Sequence, residues 1–223
     1  MCGRYAFYSP QEAITRLFGV AVVASFAPRY NICPTQHVPV VRTNNNGAHE
    51  LALLYWGLVP FWAKEKSIGA RMINARAETV AEKPAFRAAF RKRRCIVLAD
   101  GYYEWRATTT GKQPYFIYAA DRQPFAMAGL WESWQEGGDA PLESCAMLTV
   151  SATATVASIH DRMPRVLTQA QIDVWLDAAT TSSVLAALLS EPVETPLAHY
   201  PVSRQVNSPR SDGPALIEPQ LNE

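Results

Sequence analysis

The sequence predicts an α+β fold in a single domain spanning residues 1–223, with a mostly antiparallel, barrel-like β-sheet and a few short peripheral helices. The chain has 223 residues, 48% of them hydrophobic and 18% charged, so it can bury a sizeable core. Seven runs of β-type residues and four short helical patterns occur without the regular βα alternation of a parallel sheet. The β-type runs lie at residues 38–42, 51–56, 95–99, 115–118, 125–131, 146–151 and 165–167.

The first two helical patterns are indicated by different signals: a capping box in one and an apolar face in the other. Ser9 stands three residues before Glu12 in the pattern of a capping box, with Pro10 at the first helical position. The second pattern covers residues 84–94, with two phenylalanines on one face and five basic residues crowding the others. Both patterns predict short helices that cover the sheet.

The remaining helices and two hairpins have local signals of their own. Thr168 and Gln171 form a capping box for a third helix, and residues 181–189 predict a fourth. Glycine-terminated polar turns at residues 44–47 and 108–111 predict β-hairpins. The tail from Ser208 to Glu223 contains three prolines and many polar residues, so we expect it to be surface-bound or mobile.

Charge and composition exclude several classes of protein. The net charge of +1 creates no whole-molecule field for nucleic acid, so any such binding needs a local patch. Sixteen arginines against five lysines favour an anionic partner, and a GC-rich genome would explain the ratio equally well. Because no cysteines or histidines have metal-ligand spacing, we expect neither a metal site nor a cofactor. The absence of a leader or a long apolar run predicts a cytoplasmic protein with reduced thiols.

The amino terminus is the strongest chemical signal in the sequence. Cys2 follows the initiator Met1, so removal of that methionine leaves a 1,2-aminothiol. An α-amine has a pKa of roughly 8 against roughly 10.4 for a lysine, which leaves more of it neutral and nucleophilic near pH 7. The amine condenses with an aldehyde to an imine, and the thiol then closes a five-membered thiazolidine ring. This chemistry suits aldehyde capture; the alternative is a chance cysteine on a frayed terminus.

Three polar segments each put a polar group just past a predicted strand, where scaffolds commonly present functional side chains. They cover residues 73–79, 99–105 and 160–164. Their candidate side chains for chemistry are Asn74, Glu104 and His160.

These segments, together with the amino terminus, closely resemble the SOS-response-associated peptidase family. The family consists of abasic-site processing proteins that cross-link to single-stranded DNA. The resemblance runs from Cys2 to about Pro201, and its short motifs occur in the family's order. They are Cys2-Gly3-Arg4, Asn31 with Pro34-Thr35, and residues 56–60, 74–79, 99–105 and 160–164.

The resemblance implies a role for each candidate. Mature Cys2 captures the ring-opened aldehyde of an abasic site as a thiazolidine, which shields the lesion during the DNA damage response. Glu104 matches the acid/base carboxylate, Asn74 the amide that orients the terminus or the sugar, and His160 the group that helps open the sugar. The physical chemistry agrees, because a carboxylate among aromatic residues has a raised pKa suited to proton transfer, and a histidine suits acid catalysis at neutral pH.

The DNA contacts are also implied by the resemblance. Arg4, Arg76 and Arg162 match the family's contacts, and Trp62 is placed to stack on or wedge beside a base. Arginines on phosphates and aromatic stacking form the sequence-tolerant mode of a single-strand binder. We therefore expect single-stranded DNA with abasic sites as the partner, a monomer, and association with the nucleoid through DNA. Trp56 lies on a β-type run and is expected in the core.

Other interpretations remain open from the sequence. Glu104 would also fit a structural salt bridge with Arg94 or Arg106, and His160 a satisfied core histidine. Cys33 stands where a small apolar residue is common in the family, and raises the question of a second thiol near the site. The basic run at residues 87–94 is more typical of a solvated face than of a DNA groove.

Two other functional classes also remain open. An N-terminal-nucleophile amidohydrolase or peptidase would use the Cys2 thiolate, although only Met1 precedes it and no propeptide is there to remove. A non-covalent single-strand binder would not need Cys2. Within the preferred interpretation, peptidase activity and AP-lyase activity, the latter through β-elimination of a stalled imine, are further expectations.

Overall fold

The computed structural model describes residues 2–20, 26–135 and 140–220. Their strands are β1 (Tyr5–Phe7), β2 (Arg29–Ile32), β3 (His37–Thr43), β4 (His49–Trp56), β5 (Asn74–Arg76), β6 (Arg94–Ala99), β7 (Gly101–Thr108), β8 (Gly111–Ala119), β9 (Phe125–Trp134), β10 (Leu142–Ser151), β11 (Arg162–Pro164), β12 (Val166–Leu167) and β13 (Leu197–Pro201). The α-helices are α1 (Gln11–Phe18), α2 (Arg87–Lys92), α3 (Ala154–Ala157), α4 (Gln169–Leu176) and α5 (Ser182–Ser190). Short 3₁₀ helices lie at Lys66–Arg71, Arg204–Asn207 and Pro214–Ile217. The predicted α+β class is confirmed.

Five strands close into a barrel in the order β10, β4, β3, β6, β9 and back to β10. Every pairing around this ring is antiparallel except that of β4 with β10. The strands are rich in branched and aromatic residues, and Trp56 on β4 is fully buried as expected. The mostly antiparallel, barrel-like architecture that the sequence predicts is therefore confirmed.

Strand β10 extends beyond the barrel and carries two short strands along its edges. It pairs with β5 in parallel, with Thr149 opposite Arg76, and with β11 antiparallel, with Ser151 opposite Arg162. Two arginines that are far apart in sequence are thereby held on short strands on either side of β10. This edge of the barrel is where the motifs at residues 74–79 and 160–164 meet.

A second sheet has the order β13, β8, β7, β1, β2. It pairs the first residues of the chain with β7, since Tyr5 lies opposite Tyr102 and the Tyr103 amide donates to the Arg4 carbonyl at 2.9 Å. Strand β7 begins at Gly101. A glycine is needed at this position because a Cβ would overlap the ring of Phe116 on β8. The sheet therefore brings the amino terminus against the motif at residues 99–105.

Two predicted helix boundaries fail because tertiary contacts compete with the local pattern. The Ser9 capping box is wrong: α1 has Pro10 at its N-cap, and the Ser9 hydroxyl donates to Asp100 instead. Asp100 also accepts the backbone amides of Tyr8 and Ser9, so it fixes the chain before α1, and the helix has no side-chain cap. Helix α2 is shorter than residues 84–94 because Arg94 belongs to β6.

The other local predictions agree with the structure. Thr168 and Gln171 form the complete capping box of α4, and Thr181 caps α5. The turns at residues 44–47 and 108–111 join β3 to β4 and β7 to β8. The tail from Ser208 is bound to the surface as far as residue 220, with Leu216 buried and Pro219 bridged to Val202; residues 221–223 lie outside the described part. No helix in the described ranges is long and apolar enough to cross a membrane.

Candidate active site

Cys2 lies three residues before β1, with its side chain fully buried. Its Sγ donates to the Arg4 carbonyl at 3.7 Å, and its own carbonyl accepts a 2.7 Å hydrogen bond from Asn74 Nδ2. Asn74 is the first residue of β5, so the short strand paired with β10 fixes the backbone at Cys2. Met1, whose removal the sequence predicts, lies outside the described residues.

Glu104 lies within β7, two residues beyond Tyr102, so their side chains share one face of the strand. The sequence placed Glu104 after a strand; the structure places it inside one, where it is only 2% exposed. Burial raises the pKa of the Glu104 carboxyl, against the opposing influence of His160. Burial first, and then the charge of Glu104, raise the pKa of the Cys2 thiol well above its usual range. The site therefore favours a neutral thiol beside a carboxyl whose proton is held more tightly than usual.

Glu104 and His160 meet at one open cavity of about 410 Å³. The backbone amide of Arg162 donates to His160 Nδ1 at 3.0 Å. Asp161 also approaches Nδ1, at 2.9 Å, but its side chain is 86% exposed. Because the ordered backbone donor makes Nδ1 an acceptor, the neutral ring carries its proton on Nε2. The histidine is thus half-buried and oriented by the chain, rather than enclosed in the core.

The structure brings together the four residues proposed for chemistry. Asn74 contacts the Cys2 backbone, Glu104 acts electrostatically on Cys2, and His160 shares a cavity with Glu104. The structural salt bridge considered for Glu104 is not formed by Arg94, whose guanidinium donates to main-chain carbonyls at the ends of α2 and α4.

The second candidate for that salt bridge is also engaged elsewhere. Arg106 lies over the ring of Tyr115, 4.7 Å from its centroid. Neither Arg94 nor Arg106 therefore explains the burial of Glu104.

The cavity has three further walls, Trp105, Lys112 and Asn207, of which sequence reasoning missed the last two. Trp105 Nε1 donates to Asn207 Oδ1 at 2.8 Å, and this bond holds the segment just before the tail over the site. Lys112 lines the same cavity from β8 and has an exposed side chain with no ion pair in the described ranges. The hairpin turn at residues 108–111 would have placed Lys112 beside β7. Asn207 gives no local signal, because it reaches Trp105 from 102 residues away.

The arginines implied for DNA binding have unequal environments. Arg76 on β5 is exposed. Arg162 on β11 has a side chain only 12% exposed, and it pairs with Glu78 through two hydrogen bonds of 2.5 and 2.9 Å. Trp62 is 48% exposed, and its neighbour Phe61, which the sequence reasoning missed, is 57% exposed.

Arg4 is engaged inside the protein. Its Nη1 donates to Asn31 Oδ1 at 2.8 Å and to the Val206 carbonyl at 2.7 Å. Asn31 in turn donates to the carbonyls of Ser208 and Ser211. Arg4 and Asn31 therefore hold, by hydrogen bonds, the segment on both sides of Asn207, and this places Asn207 at the cavity.

Cys33 is buried, does not line the cavity, and its Sγ contacts the Asn31 carbonyl at 3.4 Å. Residues 2–20, 26–135 and 140–220 contain no group of three or more His, Cys, Asp or Glu side chains arranged to hold a metal ion.

Fold and site together define a class: an α+β protein, built on an antiparallel barrel, whose candidate active site surrounds the residue after the initiator methionine. The sequence profile of the family described as SOS response associated peptidase (SRAP) matches residues 1–209. The chain belongs to this family.

Related proteins match nearly the whole chain. Abasic site processing protein YoqW of Bacillus subtilis (strain 168) is 38% identical over 223 residues, covering 98% of this chain and 99% of its own. Abasic site processing protein HMCES of Xenopus tropicalis is 32% identical over 222 residues, covering 86% of this chain and 66% of its own. A crystal structure of a Bacteroides thetaiotaomicron protein superimposes with a TM-score of 0.87 at 26% identity, covering 99% and 100% of the two chains.

Proposed function

We propose that this protein captures abasic sites in single-stranded DNA through a thiazolidine formed by Cys2 after removal of Met1. The observation that carries the proposal is the burial of Cys2 beside Glu104, with Asn74 on its carbonyl. An abasic site is the substrate because relatives covering nearly the whole chain are named for it, and because its open sugar is an aldehyde.

The reaction begins with the α-amine of Cys2, which adds to the C1′ aldehyde of the open sugar. Glu104 in its carboxylate form takes a proton from the nitrogen, and in its acid form returns one to the departing hydroxyl, which leaves as water. The resulting C=N bond is attacked by the Cys2 sulfur, a C–S bond forms, and the thiol proton passes to the nitrogen. Aldehyde and aminothiol thus give thiazolidine and water, with no oxidant or cofactor.

Asn74 supports the first step through its free acceptor. Its Nδ2 holds the Cys2 carbonyl, while its Oδ1 is buried with no hydrogen-bond partner in the described ranges. A buried acceptor without a partner is rare in a folded protein. In the mature protein the new amine of Cys2 supplies a donor close to that carbonyl. We infer that Asn74 orients the amine toward the aldehyde.

His160 acts before this step, on the closed sugar. As an imidazolium it gives the Nε2 proton to the ring oxygen, while water takes the proton of the C1′ hydroxyl, and the open-chain aldehyde results. His160 lines the cavity with Glu104, so the sugar opens beside the group that handles the later proton transfers.

The DNA strand follows the edge formed by β5 and β11. Arg76 and Arg162 lie on these strands, on either side of β10, and Trp62 offers an exposed ring for stacking. Lys112 adds a cation at the cavity mouth for a phosphate beside the captured sugar. With a net charge of +1, the protein needs such a local patch to bind DNA.

The raised pKa of Cys2 gives no support to an amidohydrolase or peptidase. Those reactions begin with a thiolate, and burial disfavours the thiolate. Glutaminase and peptidase assays on the processed protein would show activity if this argument is wrong.

The deciding experiment measures the intact mass of processed protein after incubation with an abasic oligonucleotide. We expect a shift equal to the oligonucleotide minus one water, stable to heat in denaturing gels. Cys2→Ala retains an amine, so it should form only an imine that borohydride traps, and a protein that retains Met1 should form no adduct. A heat-stable adduct from Cys2→Ala without reductant would contradict the thiazolidine. Strand cleavage in the same gels measures lyase activity.

A further inference from the structure

Glu78 forms an ion pair with Arg162, an arginine that the proposed function assigns to DNA. Its two carboxylate oxygens accept from Arg162 Nη1 and Nη2 in the side-by-side geometry with which a guanidinium also holds a phosphate. Arg162 Nε is buried without a partner in the described ranges, so Glu78 takes the side of the guanidinium that two acceptor oxygens can reach. A phosphate that uses this side must replace the carboxylate.

We propose that Glu78 is a displaceable surrogate for a DNA phosphate, which shields Arg162 in the free protein and leaves it when DNA binds. The proposal rests on the proposed function for the identity of the ligand. It adds a residue that sets the affinity, and none of the motif roles above assigns one to Glu78.

The exposures of the two partners support a displacement. Glu78 is 51% exposed, whereas the Arg162 side chain is 12% exposed. Arg162 also donates to the Thr149 carbonyl at 2.6 Å, on the adjacent strand β10. This second bond keeps the guanidinium in place when the carboxylate leaves. The arginine is therefore the fixed partner, and the glutamate is the one that water can solvate after release.

The charges around Glu78 point to the same role. Hydrogen bonds from Arg162 lower the pKa of Glu78, and the charge of Arg76 lowers it further. The carboxylate is therefore ionised at neutral pH and lies within the influence of both arginines. It cancels part of the local positive charge, in a protein whose whole-molecule charge attracts no DNA.

The test measures non-covalent affinity for an intact single-stranded oligonucleotide by fluorescence anisotropy. Glu78→Gln should bind roughly 2- to 5-fold more tightly, the range that an exposed ion pair supports. Glu82→Gln is the matched control, because it removes the same charge from an exposed position on the same segment. Its gain should be smaller. In an Arg162→Ala background, Glu78→Gln should bring no gain beyond that of the control.

Two other results of the binding measurement overturn the proposal. Weaker binding by Glu78→Gln would show that Glu78 positions Arg162 for DNA, and equal gains in both variants would show a general charge effect. The melting temperature of Glu78→Gln should stay within about 4 °C of wild type, which excludes misfolding as the cause. The proposed function is judged separately by the abasic cross-link: its absence with intact affinity changes would refute capture and leave the role of Glu78 standing. Absence of any DNA binding by the wild type would overturn both.

Discussion

The buried centre at Cys2 and the basic edge at β5 and β11 are built on different principles. Cys2, Asn74 and Glu104 are held by strand pairing and short hydrogen bonds, and two of them are almost inaccessible to solvent. Arg76 is exposed, and Arg162 is joined to a half-exposed glutamate. Substitutions in the centre should therefore change reaction rates, while substitutions on the edge should change affinity and its dependence on salt.

The largest expected effect is that of Glu104→Gln. It should slow adduct formation roughly 100- to 10,000-fold, because glutamine keeps the shape and removes the proton-transfer group. Affinity for intact single strands should stay nearly unchanged. Single-turnover cross-linking together with anisotropy measures both quantities, and a wild-type rate would show that Glu104 has only a structural role.

The same variant tests stability against pH. Because burial raises the pKa of Glu104 above its ordinary value of 4.5, the folded wild type holds this proton more tightly than the unfolded chain does. Its stability contribution is therefore greatest below that pH and is lost as the pH rises through the raised value. Urea unfolding should show Glu104→Gln gaining stability relative to wild type as the pH rises above 4.5. A constant difference would contradict the raised pKa.

His160→Ala should separate sugar opening from capture. It should slow the reaction with an abasic sugar by about 100-fold, the lower range for an acid/base group. A simple open-chain aldehyde needs no opening, so its capture should be much less affected. Single-turnover rates on the two substrates give the comparison, and equal losses would remove the ring-opening role.

Arg4 sharpens the comparison. The family motif places it with the DNA contacts, whereas in the structure it donates to Asn31 and to the Val206 carbonyl. Arg4→Ala should lower the free energy of unfolding by about 1.5–3 kcal/mol, the range for hydrogen bonds to a charged group. It should leave the salt dependence of DNA binding close to that of wild type. Urea unfolding and a salt titration test this, and a flattened salt slope at full stability would return Arg4 to the DNA surface.

The smallest effects belong to the basic edge. Arg76→Ala and Arg162→Ala should each weaken single-strand binding with little regard to sequence. Each should also flatten the slope of log K against log salt by ~0.7 for every phosphate that the protein no longer neutralises. Arg16→Ala on α1 removes the same charge elsewhere and serves as the control. Unchanged slopes in both edge variants would move the DNA surface to another face.

Much of the fold follows from local patterns in the sequence. The apolar β-type runs, the hairpin turns and the Thr168 capping box depend on residues within a few positions of one another. The reactivity of an aminothiol at Cys2 follows from covalent structure alone. These features needed no knowledge of which strands pair.

The tertiary structure decided the surroundings of those features, because they depend on contacts between residues far apart in sequence. The Ser9 hydroxyl, which the sequence predicted as a helix cap, donates instead to Asp100, 91 positions away. Arg4 donates to the Val206 carbonyl, 202 positions away. Glu78 meets Arg162 across 84 positions, through two short strands that both pair with β10. No local pattern encodes such pairings, since they form only when the sheets bring distant segments of the chain together.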